Sequence, residues 1–90
     1  MGDVQTLTTV TVRYFAAARA AAGVELERLD VPTDGTVHDV LVAARARHGS
    51  ELARVLERCS FLLDEVAVRD RDATLHEGAT LDVLPPFAGG

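Results

Sequence analysis

The sequence has 90 residues, of which 48% are hydrophobic, and a formal net charge of −5. This length fits one domain with a single modest core, and the apolar share excludes an intrinsically disordered chain. The negative charge argues against a nucleic-acid partner, which requires a basic surface, and favours steering toward a basic protein surface. No apolar run is long enough to span a membrane, no basic leader opens the chain, and the single cysteine, Cys59, fits a reducing cytoplasm.

The first strand is predicted by alternation in residues 7–15. Val10, Val12 and Tyr14 share one face, which we expect to point into the core. Phe15 is then an aromatic side chain on the opposite, mostly polar face. An outward aromatic residue of this kind is suited to a protein interface.

A short helix and a second strand follow. Residues 16–22 are rich in alanine and predict a helical turn that ends at Gly23. Residues 25–31 predict a strand, which we expect to pair antiparallel with the first one. Residues 32–35, Pro-Thr-Asp-Gly, are typical of a turn.

The main helix is predicted to begin after Thr36. Thr36 is a suitable N-cap, and Asp39 stands three residues later, as in a capping box. Apolar residues then recur at helical spacing until Gly49, which is expected to end the helix. Ser50 is expected to cap a second helical segment that reaches about Arg58.

The remainder predicts three short strands, at residues 61–63, 66–68 and 80–84. In the last of these, Leu84 shares a face with Thr80 and Asp82, so it is a second apolar residue on a polar face. Two strands, a helix and then short strands make an α+β pattern, with one sheet packed on one main helix.

The sequence ends with an unusual segment, Pro85-Pro86-Phe87-Ala88-Gly89-Gly90. Proline favours an extended backbone, whereas two glycines make the thinnest peptide available. If the chain ends here, we expect a stalk with a slim tip whose functional group is the carboxylate of Gly90. A frayed terminus is the alternative, because Gly-Gly alone is a weak motif.

Other candidates for chemistry are weaker. Cys59 is interpreted as a small core side chain, since a lone cysteine among apolar residues is usually structural. His38, His48 and His76 lack the spacing of metal ligands, so no metal site is expected, and solvated roles suffice for them.

Two segments resemble a known family. Residues 12–19, V-R-Y-F-A-A-A-R, and residues 75–90, which end in Pro-Pro-x-x-Gly-Gly, are similar to the first strand and the tail of the molybdopterin synthase small subunit. The resemblance covers residues 8–90, and the tail is its specific part. The chain departs from the family at Asp64-Glu65, where an Asn-Gly turn is common.

The resemblance implies the β-grasp, ubiquitin-like fold, with the first and last strands parallel at the sheet centre. Phe15 and Leu84 would then be neighbours on the outer face of the sheet. We expect a domain over residues 1–84, of which 1–6 are a loose leader, and a flexible extended tail over residues 85–90.

The resemblance also implies a function. An ATP-using, ubiquitin-activating-type adenylyltransferase would adenylate Gly90, and a sulfurtransferase would supply the sulfur that makes a thiocarboxylate. That sulfur would go to a pyranopterin in the large subunit of molybdopterin synthase, in an expected heterotetramer. The chain would be a carrier and co-substrate with no bound cofactor. Gly89, Pro85 and Pro86 would let the tail thread its partner. The expected partner-binding residues are Phe15, Arg19, Leu84 and Phe87.

Two other functions stay open. The same tail would serve a sulfur carrier in cysteine or thiamine synthesis, or a ubiquitin-like modifier in which Gly90 joins a target lysine. The chain contains no lysine, so it cannot form lysine-linked chains of itself.

Overall fold

The computed structural model describes residues 6–86, which form a five-stranded sheet packed against three helices. The strands are β1 (Leu7–Tyr14), β2 (Leu26–Pro32), β3 (Ser60–Leu63), β4 (Val66–Ala67) and β5 (Thr80–Leu84). The helices are α1 (Ala16–Ala22), α2 (Val37–His48) and α3 (Ser50–Leu56). The strand order is β2-β1-β5-β3-β4, with β1 and β5 parallel and the other pairs antiparallel. The predicted α+β class and β-grasp fold are confirmed.

The core lies between the inner face of the sheet and the helices. Val10, Val12 and Tyr14 point into it, as their alternation predicted, and each is at most 1% exposed. Leu81 and Val83 of β5 are buried beside them. Because β5 is bonded to β1 on one edge and to β3 on the other, the strand that leads into the tail is anchored at the centre of the sheet.

The junction between β1 and α1 corrects one predicted boundary. The strand ends at Tyr14, one residue early, and Phe15 is the N-cap of α1 although its backbone is still extended (φ −122°, ψ 149°). Ala16 then has a left-handed φ of 50°, which turns the chain out of the sheet and ends the ladder. The helix ends at Gly23, as predicted, with a φ of 80° that favours glycine.

The start of α2 follows the predicted capping box. The Thr36 amide donates to Asp39 Oδ2 at 2.9 Å, and the Asp39 amide donates to Thr36 Oγ1 at 3.3 Å. Gly49 ends the helix, as predicted. The prediction for Ser50 is wrong: it is the first residue of α3, and Gly49 occupies the N-cap without a side-chain hydrogen bond.

The short strands differ from prediction by a residue. Strand β2 starts and ends one residue later, and β3 starts one residue earlier. Strand β4 stops at Ala67 rather than Val68. These ends are set by partners in the sheet, which local sequence does not specify.

The predicted leader and tail fall largely outside the described residues, which exclude residues 1–5 and 87–90. Thr6 is described, and its carbonyl accepts from the Thr33 amide at 3.1 Å. The division into a domain and a tail stays a prediction. No helix within residues 6–86 combines the length and the apolarity needed to cross a membrane.

Candidate functional site

Phe15 and Leu84 meet where β1 and β5 end. The parallel register pairs Tyr14 with Val83, so the next pair along the strands is Phe15 with Leu84, and the Phe15 amide donates to the Val83 carbonyl at 3.2 Å. Phe15 is 38% exposed and Leu84 is half-buried. Extension of the register by one residue thus agrees with the prediction that these two residues are neighbours on the outer face.

Two more apolar side chains extend this surface. Leu26 of β2 pairs with Arg13 and is 52% exposed, while Leu62 of β3 pairs with Asp82 and is half-buried. The sequence analysis did not single out either residue. Because side chains alternate across a strand, the register places both on the outer face. We call Phe15, Leu26, Leu62 and Leu84 the outer sheet patch.

An ion pair lies among the patch residues. Arg13 Nε and Nη2 donate to the two carboxylate oxygens of Asp82 at 2.6 and 2.8 Å. Asp82, which the sequence analysis placed on a polar face, is only 5% exposed, because Arg13 covers it. Hydrogen bonding to Asp82 raises the pKa of Arg13. The guanidinium carbon also lies 5.6 Å from the Phe15 ring centroid, a cation–π distance, so the pair supports the aromatic side chain.

Arg19 lies beside the patch on α1. Its side chain is 60% exposed and is 4.0 Å from Glu25, a loose ion pair that leaves the guanidinium accessible. Together with Phe15 and Leu26 it lines a shallow depression of about 210 Å³. The structure thus brings together Phe15 and Arg19, two of the predicted partner-binding residues.

The first two residues of the predicted tail border a second depression, on the helical side. Pro85 is half-buried and Pro86 is exposed. Both line a mostly apolar groove of about 340 Å³ between α1 and α3, which we call the stalk groove. Its residues are Ala17, Arg54, Val55, Arg58, Pro85 and Pro86. The remaining predicted site residues, Phe87, Gly89 and Gly90, lie outside the described residues.

Comparison with known proteins decides the family, because the sequence pattern of the ThiS family matches residues 12–90. The chain belongs to the ThiS family. It is also 32% identical over 82 residues, covering 90% of this chain and 98% of the relative, to the molybdopterin synthase sulfur carrier subunit of Chlamydomonas reinhardtii. The resemblance to ubiquitin-like sulfur carriers is therefore confirmed.

Solved structures agree with the family in fold. The Haloferax volcanii HVO 2177 protein is 30% identical, with a TM-score of 0.82 over 100% of this chain and 93% of that one. The small archaeal modifier protein 1 of the same organism is 26% identical, with a TM-score of 0.79 over 88% of this chain and 98% of that one. The ThiS-family chain therefore resembles both a sulfur carrier and a protein modifier.

In this ThiS-family chain the turn between β3 and β4 has a left-handed backbone although neither of its two central residues is glycine. Asp64 and Glu65 have left-handed φ angles of 49° and 72°. Asp64 accepts from the Thr80 amide at 3.0 Å and contacts His76 Nε2 at 2.7 Å. The Thr80 bond is the main reason that the pKa of Asp64 is lowered, and the bond to Asp64 raises the pKa of His76. These contacts stabilise a turn that is strained for side-chain-bearing residues.

A buried polar cluster was missed by sequence reasoning. Glu27 Oε2 accepts from the Tyr14 hydroxyl and contacts His48 Nε2, both at 2.6 Å, while Arg47 lies 3.2 Å from Oε1. The side chains of Glu27 and His48 are 9% and 13% exposed. The expected solvated role of His48 is wrong, since the end of α2 packs over β1 and β2. Burial, then the bond to Glu27, raises the pKa of Tyr14.

The remaining candidates for chemistry from the sequence are Cys59 and a metal site. Cys59 is 8% exposed, its thiol donates to the Val55 carbonyl at 3.3 Å, and burial raises its pKa, as suits a core side chain. Within residues 6–86, no group of three histidine, cysteine or acidic residues is placed to hold a metal ion.

Proposed function

We propose that this protein is the sulfur carrier subunit of a molybdopterin synthase and carries sulfur as a thiocarboxylate on Gly90. The observation that carries the proposal is the outer sheet patch at the end of β5, directly before the Pro-Pro-Phe-Ala-Gly-Gly segment. A docking surface at the root of a thin tail suits a protein whose tip reacts inside a partner. The family match, which extends to residue 90, and the Chlamydomonas relative support the same function.

The chemistry requires activation from outside the chain. A carboxylate is an anion at neutral pH and a poor electrophile. An adenylyltransferase would therefore use ATP to convert it to an acyl-adenylate, releasing pyrophosphate. The outer sulfur of a persulfide on a sulfurtransferase would then displace AMP to form an acyl disulfide. A thiol would reduce that disulfide, leaving the thiocarboxylate on the carrier and a new disulfide on the sulfurtransferase. In the large subunit this sulfur would attack a pyranopterin. The reducing cytoplasm is the location that suits this chemistry.

The chain's own residues would provide binding and reach. Phe15, Leu84 and Phe87 would supply apolar contacts, and Arg19 would offer an accessible guanidinium to a partner carboxylate. Pro85 and Pro86 would aim the tail away from the sheet, and Gly89 would permit close approach of another backbone. The carrier would bind no cofactor of its own.

Intact-mass spectrometry tests the proposal. The chain is co-expressed with an adenylyltransferase and a sulfurtransferase, and then mixed with cyclic pyranopterin monophosphate and a large subunit. The expected result is a mass gain equal to one oxygen replaced by sulfur, which is lost as pterin product forms. Deletion of Gly90 should abolish the gain, whereas Cys59→Ala should retain it, because the sulfur would be on the tail. A gain that Cys59→Ala removes would refute the assignment to Gly90.

A second candidate function is protein modification, which the similarity to small archaeal modifier protein 1 favours. Activation of Gly90 would be the same, and the acceptor would be a lysine of another protein. Covalent adducts of the chain in cell lysate that survive thiol reductants would support this function. A mass gain that is discharged only into a cysteine or thiamine pathway would instead indicate the other carrier functions.

A further inference from the structure

The stalk groove is a second surface, separate from the outer sheet patch, and it combines apolar and basic side chains. Ala17 of α1, Val55 of α3 and both prolines form an apolar floor, and the exposed side chains of Arg54 and Arg58 border it. A small apolar depression that is bordered by two cationic side chains on its α3 side suits a ligand with an aliphatic group next to anionic groups.

Arg54 and Arg58 place two positive charges close together at the end of α3. They are four residues apart, and the Arg58 amide donates to the Val55 carbonyl at 3.0 Å, so the helical turn continues past α3 and both residues border the groove. Like charges at this spacing repel. Within residues 6–86 neither guanidinium forms an ion pair with a carboxylate, although the whole chain has a net charge of −5. Two exposed arginines beside an apolar groove are therefore available to bind carboxylates of another molecule.

The position of the groove indicates what that molecule is. Pro86 lines the groove, and Gly90 is four residues further along the sequence. Four extended residues reach at most about 14 Å. A partner that receives Gly90 in a channel must therefore bring the mouth of that channel within this distance of the groove.

We propose, resting on the function proposed above, that the stalk groove binds the rim of the channel in the large subunit. The contacting segment would carry an aliphatic side chain next to carboxylates. The aliphatic group fills the apolar floor, and the carboxylates accept hydrogen bonds from Arg54 and Arg58, a pairing that arginine forms with bidentate geometry.

The stalk groove is positively charged, whereas the whole chain has a net negative charge. The net negative charge steers the chain toward a basic partner surface, whereas the stalk groove requires an acidic spot on that same surface. Opposed charges of this kind fix the orientation of a complex. The groove thereby sets the rotation of the carrier about its tail, and the outer sheet patch supplies apolar contact area.

Calorimetric titration tests the inference with the full chain and the molybdopterin synthase large subunit from the same organism. Replacement of both arginines by glutamate (Arg54→Glu with Arg58→Glu) should weaken binding about 10- to 100-fold, with the difference shrinking as salt is raised. The matched control is Arg69→Glu, an exposed arginine after β4 that does not line the groove, and its affinity should change by less than about threefold.

The outcomes separate the two proposals. If the wild-type chain fails to bind the large subunit, both the proposed function and this inference fail. If the wild-type chain binds and the double variant binds equally well, the inference alone is overturned, as it is if Arg69→Glu weakens binding to the same extent. If the double variant is poorly folded by circular dichroism, glutamine at both positions removes the charges more gently and should still weaken binding. A dimer of the free chain that disappears in the double variant would assign the groove to a second copy and overturn the inference.

Discussion

Replacement of Tyr14 by phenylalanine tests the buried cluster under the sheet. The ring is 1% exposed and would keep its packing, whereas the hydrogen bond of 2.6 Å to Glu27 would be lost. A hydrogen bond to a charged group contributes about 1.5–3 kcal/mol. In the variant, Glu27 still has His48 and Arg47 as partners, so its carboxylate is not left without a hydrogen bond or an ion pair. We therefore expect a loss near the lower limit, about 1–2 kcal/mol of the free energy of unfolding.

Urea and thermal denaturation measure this loss. In a domain of this size, 1 kcal/mol shifts the melting temperature by about 4–8 °C. A double-mutant cycle with Glu27→Gln isolates the pair, and Tyr14→Phe should cost less in that background. Sulfur loading of folded Tyr14→Phe protein should match wild type, because the cluster lies on the face opposite the outer sheet patch. A change in stability below about 0.5 kcal/mol would refute the assignment of a stabilising bond.

Two further predictions concern the surface. Phe15→Arg should weaken binding to the large subunit about tenfold or more while the melting temperature stays near that of wild type, because the side chain is exposed. Val42→Arg, at an exposed position of α2, is the control. If only the Phe15 variant is insoluble, the assignment of Phe15 to the outer face is wrong. The second prediction is a pH dependence of the His76–Asp64 contact. Because folding raises the pKa of His76, its contribution to stability is fully present at pH values below its ordinary pKa of 6.5. Because folding lowers the pKa of Asp64, its contribution is fully present at pH values above its ordinary pKa of 3.8. The contact thus contributes most between these values and is lost as the pH rises through the folded pKa of His76. The stability advantage of wild type over His76→Gln, from urea midpoints, should shrink between about pH 5.5 and about pH 8.5, and an advantage that grows would show the sign to be wrong.

Local rules accounted for most of the fold. Alternation identified the buried face of β1 because that strand has one face in the core and one outside. The Thr36 and Asp39 pair marked the start of α2 because a capping box is a contact between near neighbours in sequence. Strand ends were shifted by a residue, since they depend on pairing partners elsewhere in the chain.

Contacts between distant residues were missed for the opposite reason. Arg13 and Asp82 are 69 residues apart, and Tyr14 and Glu27 belong to different strands. The contact between Arg13 and Asp82 could have been predicted from the expected parallel pairing of the first and last strands. The register that places Phe15 beside Leu84 pairs Arg13 with Asp82 two residues earlier. The packing of His48 over Glu27 carries no such signal, because it depends on where α2 crosses the sheet.

The sheet topology holds the strand that precedes the proposed reactive tail on both of its edges. Strand β5 leads directly into Pro85, and its ladder bonds to β1 and β3 place it in the sheet interior. Leu81 and Val83 bury it fully on the inner face. Segments with buried contacts and bonds on both edges open only at free energies close to that of global unfolding. If a partner binds the tail as proposed, the force on the tail would therefore act on a strand that is among the last parts of the domain to open, and the outer sheet patch beside that strand would keep its structure while Gly90 reacts.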